Sequence, residues 1–203
     1  MAIQTFPRLR NFLVWGAIAL SIAVPLGFAA TSPLLAWRGP AYIVAGLAGV
    51  IAMALLLVQP LLATGHLPGL AGPRGRRAHR WIGGILVLMV VFHVAGLWIT
   101  SPPDVVDALL FASPTPFSVW GVVAMWAVFA TAVLAALRRR LRPLSWRRAH
   151  TALAIVIVAG SVVHALLIEG TMETISKAVL CALVVAATLK AVADLRTWPG
   201  RTR

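Results

Sequence analysis

This 203-residue chain predicts an all-α membrane protein: a bundle of six transmembrane helices with both termini in the cytoplasm. Two observations carry the prediction. The first is hydropathy. Residues are 61% apolar and only 11% charged, with a mean hydropathy of +0.93. The apolar ones gather in six stretches of about 20, the length that crosses a hydrocarbon core. None alternates with period two, so helices rather than barrel strands must satisfy the backbone in lipid. The second is the placement of charge. With the N-terminus inside, 16 of the 18 Lys and Arg residues fall on the inner face, leaving Arg38 and Lys177 outside. Asp104, Asp107, Glu169 and Glu173 fall outside as well. This is a strong positive-inside bias, and it places the chain in the cell inner membrane. It also accounts for the net charge of +13, so no nucleic-acid partner is expected.

The spans are read as about 11–30, 41–64, 79–100, 117–137, 150–168 and 175–195, within one integral domain covering 1–203. Arg8 and Arg10 precede the first span, whose apolar run exceeds an ordinary signal-peptide core, so it reads as a retained helix. A short external loop, 31–40, ends in Trp37-Arg38-Gly39-Pro40. The second span closes near Gln59-Pro60, and a Gly/Pro/Arg-rich internal loop runs from Gly65 to Ala78. The third span rises from His79 to Trp98. In the external loop 101–116, Pro102, Pro103, Pro114 and Pro116 surround the apolar piece Val105 to Phe111. These prolines are expected to break helix and leave the piece as a cap on the outer face.

The fourth span returns to Arg138-Arg139-Arg140-Leu141-Arg142-Pro143, the fifth rises from His150 to Ile168, and the sixth descends to a short tail. Trp37, Trp98 and Trp120 outside, and Trp81, Trp146 and Trp198 inside, form the expected interfacial belt, while Trp15 and Trp126 are assigned to packing. Cys181, the single cysteine, reads as a packing residue in the sixth span.

The chemistry lies in the histidines. Arg76-Arg77-Ala78-His79 recurs as Arg147-Arg148-Ala149-His150, and each copy is followed fourteen residues on by a second histidine, His93 and His164. Fourteen residues of helix return a side chain to within roughly 40° of its starting face, about 21 Å along. The third and fifth spans both run outward, so His79 and His150 share one depth and His93 and His164 another. A histidine inside a span is costly and functional by default. The plain alternative for each is a hydrogen bond to a neighbouring helix carbonyl. That alternative does not explain two pairs with equal spacing, the same preceding tetrapeptide and equal depths.

Two stacked His–His pairs across facing helices suit two haems, since neutral imidazole is an axial ligand. Zinc would need further ligands that are not between the pairs, and without C-x-x-C-H the haems would be type b. Gly83, Ala154 and Gly160 lie one turn from the histidines and either make room for porphyrin or let helices pack closely. Arg77, Arg80, Arg147 and Arg148 are candidate propionate partners at the inner site, with Arg38 and Lys177 in that role outside. His66, in the internal loop without a matched partner, is read as solvated.

On these residues the chain resembles the ferric reductase-like transmembrane family, to which belong the membrane domains of ferric reductases and NADPH oxidases and the haem membrane subunit of the periplasmic methionine sulfoxide reductase system. The resemblance rests on His79 and His93 within RRAHRWIGGILVLMVVFH and His150 and His164 within RRAHTALAIVIVAGSVVH, and covers roughly residues 41–195. It implies a transmembrane oxidoreductase that passes electrons outward through two b haems. His79 and His150 would ligate the inner iron, His93 and His164 the outer. Members that act alone carry a flavin and nicotinamide domain after the sixth helix. Here no G-x-G-x-x-G follows it, so the flavin is expected on a separate cytoplasmic reductase, with quinol as the other candidate donor. The outer acceptor would be a ferric chelate or a periplasmic oxidoreductase. Two other functions compete: a di-haem cytochrome b linked to quinol or ascorbate, and a proton-coupled transporter or assembly factor. The second usually needs buried carboxylates, and all five acids here lie in loops or at span ends.

Overall fold

The computed structural model describes residues 6–196, and among these every regular element is helical. In order they are α1 (Phe6–Ala30), α2 (Pro40–Thr64), α3 (Gly72–Thr100), α4 (Pro102–Leu109), α5 (Pro116–Ala136), α6 (Pro143–Leu167) and α7 (Thr174–Arg196). Short 3₁₀ turns lie at Pro33–Leu35 and Leu137–Arg140. Six of these helices, all but α4, are long and apolar enough to span a membrane. Trp198 and the last two arginines of the inner-face count lie outside the described residues.

Prolines set many of the boundaries. Pro40, Pro73, Pro102, Pro103, Pro116 and Pro143 all occupy a first or second helical position, where a missing N–H costs nothing. The expectation that prolines would break helix at 101–116 holds where α3 stops before Pro102 and around Pro114, and is corrected for 102–109, which is helical. Pro102 and Pro103 start α4, Ser101 Oγ donates to Asp104 Oδ2 at 2.6 Å, and Val105 is buried beneath it. For the same reason α3 and α6 begin earlier than expected, at Gly72 and Pro143. Each histidine of the inner pair thus sits two turns inside its helix, and the tetrapeptides before them are helical. α2 ends at Gly65, whose φ of 73° is the left-handed conformation that suits glycine at a helix C-terminus. At the start of α7 the backbone N–H groups of Ser176 and Ile175 donate to the Glu173 carboxylate at 2.6 and 2.7 Å, which holds its pKa below the usual range.

The bundle is built from two helical hairpins. α2 packs along α3, and α5 along α6. α7 touches both α2 and α6, and α1 lies at the edge against α2 and α7. The main core joins Met53, Leu56 and Leu57 of α2 to Leu86 of α3, Ala127 and Val128 of α5, Ile157 and Val158 of α6, and Leu180, Cys181 and Val184 of α7. Cys181 is buried there, as its packing role requires. α2 is the most buried of the long helices and forms the centre. Trp126 is 56% exposed, so it packs on the outside of the bundle rather than in its core, its ring edge-to-face with Phe129 at 6.0 Å.

Candidate functional site: two histidine pairs

The helices that carry the histidines, α3 and α6, share little close backbone contact. Each is held instead by its own hairpin partner, and the imidazoles meet across the space between. His79 faces His150 with ring centroids 6.1 Å apart, and His93 faces His164 at 6.4 Å. The rings of each pair are steeply inclined, by 69° and 82°. Midway between the two levels, seven residues from each histidine and therefore on nearly the same helix face, stand Leu86 and Ile157. They are 7% and 5% exposed, so a dry apolar layer separates the pairs.

At the outer level both rings are tied to backbone. His93 Nδ1 donates to the Ala45 carbonyl of α2 at 2.8 Å, and His164 Nδ1 to the Phe117 carbonyl of α5 at 2.9 Å. A carbonyl can only accept, so the proton sits on Nδ1 and Nε2 keeps its lone pair. A glycine lies behind each ring. A Cβ on Gly49 would come within 3.0 Å of His93 Nδ1, and one on Gly121 within 2.6 Å of His164 Nδ1.

The inner level is built differently. His79 Nδ1 meets the Gln59 carbonyl at 3.2 Å, and Gln59 Nε2 returns a bond to the His79 carbonyl at 3.2 Å. His150 Nδ1 is buried and has no hydrogen-bond partner among the described residues. Its ring is stacked on Trp146, centroids 5.1 Å apart and planes 15° from parallel, and the Arg138 guanidinium lies over the same indole at 4.9 Å. Beside this stack Arg80, Arg138 and Arg139 line a cavity of about 430 Å³ with Ala135 and Ala136.

The other residues singled out from sequence fall as follows. Arg80 lines the inner cavity, while Arg77, Arg147 and Arg148 are exposed and do not line it. Arg38 lies over the Tyr42 ring at 4.7 Å. Lys177 is only 8% exposed and donates to the Ile168 carbonyl at 2.7 Å, one turn past His164. His66 is not simply solvated, because the α2–α3 loop folds against α7. Its Nε2 stands 3.3 Å from Asp194, and its Nδ1 meets the Thr64 hydroxyl. Gly160 turns toward Trp120 and Ala124 of α5, and Gly83 toward Gln59 of α2, so both serve helix packing. Sequence reasoning missed Gly49, Gly121, Gln59 and Trp146. The first two carried a weak signal: Gly49 lies 44 residues before His93 and Gly121 43 before His164, intervals that differ by one.

Residues 45–161, more than half the chain, match the model of the ferric reductase like transmembrane component. The chain belongs to that family. The matched segment includes His79, His93 and His150, together with both outer-level carbonyls and both glycines; His164 lies just past its end. None of the curated proteins and none of the solved structures gives a significant match. Family membership and the six apolar helices together make this a multi-pass membrane protein of an oxidoreductase family.

Proposed function

We propose that the protein carries electrons across the membrane through two b haems, with His79 and His150 ligating the inner iron and His93 and His164 the outer. The observation that carries this reading is the ring spacing at both levels. A metal ion gripped by two imidazole nitrogens at about 2.0 Å each puts the ring centroids roughly 6 Å apart, and the two pairs stand at 6.1 and 6.4 Å. The donor chemistry agrees. At three of the four histidines Nδ1 is spent on a backbone carbonyl, which leaves Nε2 as ligand and raises its basicity. When bound, haem would supply one-electron iron chemistry at each level.

The protein's own work is positioning, exclusion and steering. α2 holds His79 and His93 from behind and α5 holds His164, and Leu86 and Ile157 keep water from the space between the levels. Positive charge at the inner end, set by Arg80, Arg138 and Arg139 around their cavity, suits haem propionates there and an anionic cytoplasmic donor. At the outer end Lys177 has one N–H engaged by Ile168, with two donors remaining for a second propionate. The positive-inside bias orients both termini to the cytoplasm, so electrons would run from a separate flavin reductase to an acceptor outside, such as a ferric chelate or a periplasmic oxidoreductase.

The test is the haem content of purified protein with its reduced-minus-oxidised spectrum. Two low-spin b haems per chain are expected. A ratio near one, or a high-spin ferric spectrum, refutes the assignment of one pair.

A further inference from the structure

A carbonyl inside a helix points at the N–H four residues on, so the side chain at that position shields it. At the outer level the shielding residues are Gly49, four after Ala45, and Gly121, four after Phe117. Lacking Cβ, each lets an imidazole lie against the helix and reach a carbonyl that is already bonded. The inner level is the built-in contrast. Gln59 is followed four residues on by Ala63, and there the histidine bond lengthens to 3.2 Å. Thr131 lies fourteen residues past Phe117, as Gln59 does past Ala45, and Ala135 follows it by four. There Thr131 Oγ1 bonds Ala127 O, and His150 Nδ1 is left without a partner. Glycine thus accompanies the two short bonds, and alanine the long one and the missing one.

From this we infer that Gly49 and Gly121 are positioning residues for the outer site. By uncovering the Ala45 and Phe117 carbonyls they lock both outer imidazoles as Nδ1–H tautomers and make them stronger donors than the inner pair. The inference rests on the two-haem reading and adds a direction to it. Stronger axial donors favour the oxidised metal, so relieving them raises the outer midpoint potential and leaves the inner one alone.

The experiment compares Gly121→Ala, Gly49→Ala and Gly46→Ala in haem-loaded protein, by redox titration and low-temperature paramagnetic resonance. A ¹⁵N-histidine spectrum of each haem-free protein is recorded alongside. Gly46 is on α2 with nothing within 4 Å of its Cβ position, so its variant carries the cost of a helix substitution without the clash. Gly121→Ala, with the tighter approach, should raise the outer reduced-to-oxidised ratio at fixed poise about tenfold, an upward shift of about 59 mV. Selective loss of the outer haem would also support the inference. Gly49→Ala should show a smaller shift of the same sign, and it decides the matter if Gly121→Ala fails to accumulate. Gly46→Ala should match wild type. Unchanged outer potential and resonance in Gly121→Ala and Gly49→Ala would overturn the inference. Absence of haem from wild type would sink the two-haem reading instead. The ¹⁵N spectra would still decide the positioning role: Nδ1-protonated His93 and His164 in wild type, disturbed by Gly121→Ala, uphold it, and unaltered shifts reject it.

Discussion

The inner and outer histidine pairs have the same sequence spacing and nearly the same ring separation, yet they are held by different physics. The outer rings are fixed by main chain, with bonds of 2.8 and 2.9 Å to carbonyls exposed by glycines. The inner rings are held less uniformly: His79 by a longer bond of 3.2 Å to the Gln59 main-chain carbonyl, whose side-chain amide bonds the His79 carbonyl in return, and His150 by an indole stacked on it with a guanidinium over that indole. Main-chain support is rigid and insensitive to the surroundings. The side-chain support of His150 ends in Arg138, which is exposed, so whatever binds there can act on the ring below. Under the proposed function, the difference would suit an outer level that only passes electrons on and an inner level that accepts them from a visiting donor.

The largest expected effect separates the two levels outright. His79→Ala or His150→Ala should remove the inner spectral component and block reduction from the cytoplasmic side. His93→Ala or His164→Ala should leave the inner component reducible and stop transfer outward. If His79→Ala and His93→Ala abolished the same component, the assignment by depth would be wrong.

A smaller effect tests how the inner pair is held. Trp146→Leu removes an aromatic contact worth about 0.5–1.5 kcal/mol, while Trp146→Phe keeps most of it. The leucine variant should bind inner haem several-fold more weakly and broaden its resonance, phenylalanine should restore both, and the outer signal should stay fixed. Equal disturbance of both levels would mean that Trp146 acts on the bundle and not on His150.

The smallest effect concerns the surface above that stack. Neutralising Arg138, Arg139 and Arg140 together should flatten the salt dependence of reduction by a cytosolic flavin reductase. Wild-type rates should fall a few-fold as the screening length shrinks from about 30 Å at 0.01 M to about 8 Å at physiological ionic strength. Rates indifferent to both salt and substitution would favour a membrane-dissolved quinol as donor.

Much of this architecture was legible in the chain. The six helices follow from hydropathy because lipid leaves a backbone no other option. The pairing of His79 with His150 and of His93 with His164 was legible because a regular helix converts a spacing of fourteen into one face and two depths. Helix starts were misjudged where proline was read as a breaker, since the same residue opens a helix as readily as it stops one.

What the tertiary structure alone decided is everything behind the rings. Which carbonyl each Nδ1 finds depends on how α2 lies on α3 and α5 on α6, and no periodicity within a single helix encodes that. Gly160 and Gly83, near the histidines in sequence, turn out to serve helix contacts, while Gly49 and Gly121, far away in sequence, lie against the outer rings. Lys177, read as an outer-face charge, is buried against the end of α6. The physical reason is common to all of them. A residue's own helix sets its direction and depth, but its partners come from the neighbouring helix, and those are settled only when the hairpins pack.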